Sequence, residues 1–515
     1  MKKTYLIGLL WLLLASCSDF LEEYSQDQAY VQSYNDLDEL LVGETYMETV
    51  FGSDGDAYYP YVHLMADETK ENLEPDFHGE RDYNEYQKKY FGYVTWQNRV
   101  GLTVDRLSTK AEDADWDRLY KHINLANMIL YEIEKQHVEN DDDRKAISRI
   151  RGEAYFLRAA YYFILVNLYG EPYQASIAET ALGVPVKTSE AIEDNMFPRE
   201  TLKTVYDLII SDLELAAKNL EGISRKSIYR ANITAVRLLQ SRVYLYMQNW
   251  EEAAKHAQLC LDLQSELVDL NTFGNSETAF ATASSPELIF SMGGNNIPRM
   301  LNDQFAGLSA SADLIECYTQ NDLRRQFFLT EVEYTEYYDC NKYVKQEATN
   351  NANVSDNFMF RTAEAWLNLA EAYACMGGEN NEQEARTALD RLRQHRIETS
   401  HYEATALSGD ALIEEIRAER RRELCFEGHR WFDLRRYTVS EKAPFTGSIR
   451  NTYSEYDYFW DDWEWKYYWD VSSSSTYELT AGDPAWTLQI PYEVLQFEEL
   501  APNPRHERAP ISTEN

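Results

Sequence analysis

Apolar residues recur at three- and four-residue intervals through the middle of the chain, the spacing that places them on one side of a helix. In "ITAVRLLQSRVYLYMQNWEEAAKHAQLCLD" (Ile233 to Asp262), Val236, Leu239, Val243 and Tyr246 form one stripe. Asn249 marks a turn, and Trp250, Ala253, Ala254, Ala257 and Cys260 or Leu261 form the next stripe, with alanines small enough for two helices to approach closely. The same pattern pairs Trp116–Glu134 with Ala146–Tyr169, Leu202–Leu220 with the helix from Ile233, and Arg361–Met376 with Gln383–Arg396. A different period governs "YFWDDWEWKYYWD" (Tyr458 to Asp470), where Trp463, Trp465, Tyr467 and Trp469 occupy alternate positions. Period two predicts a strand with one aromatic face. Burying a large ring stabilises by about 1.5–3 kcal/mol, so cover by the core or by a partner is the expected default and a bare stacking platform the alternative. Trp460, just before that strand, is the ring expected to be exposed.

Between the helical stretches lie Phe51–Gln97 and Leu270–Asn357, rich in Gly, Asn, Asp, Pro and aromatics and without sustained helical period. They predict long ordered loops with short strands, and long loops within a compact body tend to be functional. The helix pairs resemble tetratricopeptide units, which stack side by side because each buries an apolar face it cannot bury alone. The expected fold is therefore mainly α: a tetratricopeptide-like helix-pair superhelix carrying long irregular loops and short strands.

The formal charge of −38 changes what such a body can meet. A surface this acidic repels phosphate backbones, which excludes nucleic acid as a partner. Six cysteines are scattered without metal-knuckle spacing, and a chain of 515 residues buries a sufficient core without a disulfide framework. At the N-terminus, Lys2 and Lys3 precede a short apolar run, Tyr5 to Leu14, that is too short to span a bilayer and has the form of an export signal. Leu14-Ala15-Ser16-Cys17 resembles a bacterial lipobox, which makes Cys17 the expected lipid-bearing first mature residue. Residues 1–16 are then a leader, 17–30 a lipidated linker, 31–270 an N-terminal part with the helical repeats and 271–515 a C-terminal part of one compact body.

Six blocks in order, "DWDRLYKHINLANMILYEIE" (Asp115–Glu134), "RGEAYFLRAAYYFILVNLYG" (Arg151–Gly170), "GVPVKT" (Gly183–Thr188), "RTAEAWLNLAEAY" (Arg361–Tyr373), "RAERRRELCFEGHRWFDLRRY" (Arg417–Tyr437) and "IPYEVLQFEELAPNP" (Ile490–Pro504), resemble those of SusD/RagB lipoproteins. Arg505 and His506 depart from the glycine and tyrosine that often follow the terminal Asn-Pro. The resemblance implies a nutrient-binding lipoprotein on the outer face of the outer membrane. Its implied partner is a SusC-like TonB-dependent transporter, its ligand an oligosaccharide, and it performs no catalysis. A peptide-capturing RagB-like role and a lipid-anchored glycoside hydrolase are the alternatives.

The crowded "ERRRELCFEGHRWFDLRR" invites a catalytic reading, yet Arg420–Glu423, Glu427–Arg430 and Asp433–Arg436 are spaced to pair along one helix face, so a structural ion network is expected. No zinc helix, phosphate loop, nucleophile elbow or dinucleotide fingerprint occurs, and no cofactor is expected. Ser53–Asp56 ("SDGD") lacks the rest of a calcium loop. A pyranose receptor needs flat rings beside groups that hydrogen-bond hydroxyls. That chemistry nominates Asp67, Asn72, Arg81 and Trp96 in the first loop, Asn296 and Arg299 in the second, and Trp460.

Overall fold

A computed structural model describes residues 31–49, 58–73, 88–101, 114–191, 193, 196–274, 279–301, 307–333, 335–344, 352–463 and 465–514. The leader, Cys17, Ser53–Asp56 and Arg81 lie outside the described residues. The principal helices are α1 (Ala114–Ile133), α2 (Asp141–Tyr169), α3 (Leu202–Leu220), α4 (Ile233–Tyr246), α5 (Trp250–Leu263), α6 (Thr362–Met376), α7 (Glu379–Arg393), α8 (Gly409–Leu424) and α9 (Arg430–Tyr437). Each of α1 to α7 packs on the next, which is the expected side-by-side stacking of helix pairs, and α8 closes against α6. Among the described residues no helix is long and apolar enough to cross a membrane.

Local chemistry sets the helix starts. Asn140, Thr201, Asn232 and Asn249 each accept a backbone N–H of the first turn of α2, α3, α4 and α5, satisfying donors that have no partner within the helix. Asp141, Asp142 and Asp143 occupy the positive end of α2. From Phe156 to Tyr169 every residue of α2 is buried, so this helix runs through the core rather than over it. Gly152 is what lets α3 approach: a Cβ there would stand 2.7 Å from Cγ of Leu220.

The arginine-rich block forms buried ion pairs, with partners that the helical spacing only partly foretells. Asp433 pairs with Arg436 at 2.9 Å as expected. Glu423, however, binds Arg361 at 3.0 Å, Arg396 at 2.8 Å and Arg324 at 3.1 Å, rather than Arg420. Glu427 binds Arg361 at 2.6 Å and also Lys342, while Arg420 reaches Asp433 at 2.8 Å. The reason is burial: charges this deep need several donors each, and only other elements can bring them. Burial alone would raise the Glu371 carboxyl, but Arg436 and Arg417 outweigh it and bring it down to about 2. The five cysteines from Cys260 to Cys425 are all free.

Short strands lie in the loops, as expected. β1 (Thr69–Glu71) pairs antiparallel with β2 (Leu308–Ala310), which joins the two irregular segments to each other. One element is much longer than expected: β3 (Ser448–Asp461) and β4 (Lys466–Thr480) form an antiparallel hairpin, with β5 (Ser512–Glu514) beside β4 at Ser474–Thr476 only.

Candidate functional site

The foot of the hairpin is anchored in the core. Ile449, Tyr453, Tyr477 and Leu479 are buried, and Phe91 meets Tyr453 edge-on with ring centres 5.0 Å apart. Asn451 Nδ2 donates to the carbonyls of Leu64 (2.9 Å) and Val94 (3.0 Å), and Ser454 N donates to Oε1 of Glu71 at 3.1 Å. Beside the foot is a cleft of about 440 Å³ lined by Asp67, Lys70, Glu71, Ser311, Arg450 and Thr452, among others.

Beyond a register shift at Val471–Ser473 the ribbon is two-stranded and its rings emerge. Tyr458 stands opposite Trp469, and Trp460 opposite Tyr467. Directly opposed side chains of an antiparallel pair share a face, and alternate residues return to it. The rings bear this out: Tyr458 and Tyr467 stack 4.7 Å apart at 11°, Tyr458 and Trp469 lie 5.0 Å apart, Trp460 and Tyr467 4.8 Å, and Trp460 and Trp465 6.3 Å. Five rings thus form one continuous platform. Trp465 is 80% exposed, Tyr458 55%, Tyr467 53% and Trp460 43%. The opposite face carries Phe459 against Tyr468, together with the register positions of Glu455, Asp457, Asp461 and Asp470.

The turn fixes the tip. Asp461 Oδ1 accepts Trp463 N at 2.7 Å, Asp462 Oδ1 accepts Trp460 Nε1 at 2.8 Å, and Trp465 adopts a φ of 55°. This corrects the expected strand in two respects. Trp463 and Trp465 belong to the turn rather than to a strand, and the aromatic face is exposed on the chain itself rather than packed in its core, which leaves cover by a partner as the form of the expected default that still stands. The alternation of Trp463, Trp465, Tyr467 and Trp469 runs from the turn into β4 without a break, which hides where the chain reverses. A signal was nonetheless present: matched aromatic alternation on both sides of Asp461–Trp465 describes two arms of one hairpin.

Of the nominated residues that are described, Trp460 is the one placed in this platform, and Arg81 lies outside the described residues. Trp96 is fully buried, with a φ of 51° and its Nε1 donating to the Met65 carbonyl at 3.1 Å, so it is a core ring and not a stacking surface. Asp67 is taken by Arg430 in a two-point pair (2.7 and 2.8 Å) and by Arg421 at 3.2 Å, which overcomes its burial and holds its carboxyl near about 2. Asn72 is buried beside β1, its backbone N–H donating to the Gly307 carbonyl. Asn296 is buried at the start of the turn Ile297–Met300, its N–H held by Asp356 Oδ2 at 2.7 Å, and Arg299 is half-buried on that turn. Two residues the sequence does not single out are Glu68 and Glu71, buried acids that burial lifts to about 7 each. Among the described residues no group of three or more His, Cys, Asp or Glu side chains is arranged to hold a metal.

A helical scaffold bearing an exposed aromatic ribbon is the feature that comparison with known proteins puts in context. Residues 318–500 match the SusD family model, and residues 19–245 match a second model described as starch-binding associating with outer membrane. SusD-like protein P2 of Formosa agariphila is 26% identical over 383 residues, covering 64% of this chain and 72% of that protein. SusD-like protein P25 of the same organism is 24% identical over 504 residues, covering 82% and 87%. Among solved structures, a SusD superfamily protein from Bacteroides vulgatus superposes with a TM-score of 0.69 at 19% identity, covering 92% of this chain and all of that one. Another from the same organism, a putative sugar binding protein, gives 0.68 at 21%, covering 92% and 99%. Surface glycan-binding protein A from Bacteroides fluxus gives 0.60 at 18%, covering 92% and 97%. The chain belongs to the SusD/RagB family.

Proposed function

We propose that this protein is a surface lipoprotein that binds oligosaccharides or polysaccharide fragments and hands them, chemically unchanged, to a SusC-like TonB-dependent transporter of the outer membrane. The observation that carries the reading is the five-ring platform on β3 and β4, where four contiguous rings, Tyr458, Trp460, Trp465 and Tyr467, are each more than 40% exposed. Pyranose faces present C–H groups that suit the electron-rich faces of such rings. Stacking without deep enclosure gives modest affinity, which suits a molecule that must release what it captures. A family model described as starch-binding and two structural neighbours named for sugar and glycan binding support the same ligand class. A lipid on Cys17 would supply durable attachment, since several acyl chains bind where one alone is reversible.

A glycan and peptide array probed with the purified chain tests the ligand. Binding to glycans and not to peptides, with no release of shorter products, is expected. Peptide binding alone would move the protein to the RagB-like role, and turnover would make it an enzyme. Labelling of cells with a fatty-acid probe tests the anchor: the label is expected on the parent chain and absent from Cys17→Ala.

A further inference from the structure

We infer that the hairpin platform takes an uncharged glycan chain and rejects chains that carry uronate or sulfate; the inference rests on the glycan-binding reading above. Between Glu455 and Asp470 the sequence has six acids and a single cation, Lys466. Asp457, Asp461 and Asp470 occupy the face directly behind the rings, one ribbon thickness away, and Asp462 sits at the rim, holding the Trp460 indole. Any polymer lying along Tyr458, Trp460 and Tyr467 therefore lies within the field of several carboxylates that ionic strength screens only beyond about 8–10 Å. The rings add to the discrimination, because their negative faces attract C–H groups and repel anions.

Receptors for uronate or sulfate answer the charge with guanidinium forks or lysines. On the ribbon the one cation is Lys466, at the register position opposite Asp461 on the face behind the rings. The cleft at the foot does hold two cations, but Arg450 is bound to Glu478 at 2.9 Å and Lys70 lies over the Tyr337 ring at 4.6 Å. Carboxylates beside aromatic rings remain well suited to neutral sugars, since they accept hydrogen bonds from hydroxyls without requiring a counter-charge. The net charge of −38 extends the same bias to the approach of a polymer from a distance.

Affinity electrophoresis of the full chain decides the matter. The gels contain neutral polymers with gluco-, manno-, galacto- and xylo-type backbones, a polyuronate together with its carboxyl-reduced form, a sulfated galactan, and chitosan as the cationic polymer. Retardation by at least one neutral polymer, at least tenfold tighter than by any anionic one and lost in Trp460→Ala/Tyr467→Ala, is expected. Retardation by an anionic polymer that the double variant abolishes would overturn the charge class but keep the platform. Preference for chitosan over every neutral polymer would likewise overturn it. Neutral binding that survives the double variant would place the site elsewhere, and no retardation by any polymer would remove both the platform and the glycan reading. Circular dichroism of the variant, expected to match the parent, separates these results from misfolding.

Discussion

Trp96 and Trp460 are each followed by two polar residues, yet one is fully buried and the other nearly half exposed. Nothing local distinguishes them; the difference lies in what the tertiary fold lays over each. Trp96→Ala removes a packed ring and leaves the Met65 carbonyl without its donor, so it is expected to lower unfolding free energy by about 3–5 kcal/mol, read by chemical denaturation. Trp460→Ala is expected to stay within about 1 kcal/mol of the parent in the same measurement. The buried pair Glu68 and Glu71 makes a second expectation. Burial raises both carboxyls to about 7, above the ordinary value of 4.5 that the unfolded chain approaches. The folded chain therefore holds protons that the unfolded chain has released, so this contribution to stability is complete below about pH 4.5, declines as pH rises and levels off above about 7. Calorimetry should find Glu68→Gln/Glu71→Gln unchanged near pH 5 and more heat-stable than the parent by several degrees near pH 8. Glu371, held at about 2 by Arg436 and Arg417, acts in the opposite direction and loses its contribution as pH falls toward that value.

Single elements were more readable than single residues. The stripes of α4 and α5 and the turn at Asn249 follow directly from the three- and four-residue spacing, because burial on one face imposes it. The hairpin was half readable: its period is plain, but its reversal is masked by aromatics that continue through the turn, and exposure cannot be read from period at all. Two anchors of unlike kind hold it, a buried foot and the Asn451 amide that serves two carbonyls. Asn451→Ala leaves Leu64 O and Val94 O unsatisfied and is expected to cost about 1–3 kcal/mol. Replacing Tyr458–Trp469 with a two-residue Asn-Gly turn is expected to leave the melting temperature nearly unchanged, since the excised part lies beyond the buried foot at Ile449, Tyr453, Tyr477 and Leu479.

At the scale of the whole molecule, the order of the helix pairs was legible and the ion network only in outline. Acids and arginines three apart suggested pairing within one helix, whereas Glu423 gathers Arg324, Arg361 and Arg396 from three separate segments. Sequence spacing reports on neighbours along a helix and is silent about neighbours across a core. Glu423→Gln leaves three guanidinia short of charge in a dry interior, and a loss of about 3–5 kcal/mol is expected by urea titration.

Uncovered tryptophans on a projecting arm invite copies of the molecule to clasp one another. The acids on the reverse of the arm, and the −38 overall, oppose that clumping without hiding a single ring. Shortening the reach of the repulsion to about 3 Å with molar salt should therefore let reversible dimers form, seen as concentration-dependent sedimentation that Trp460→Ala/Tyr467→Ala suppresses. Like-charge crowd control is thus the expected guard on this chain's stickiest surface.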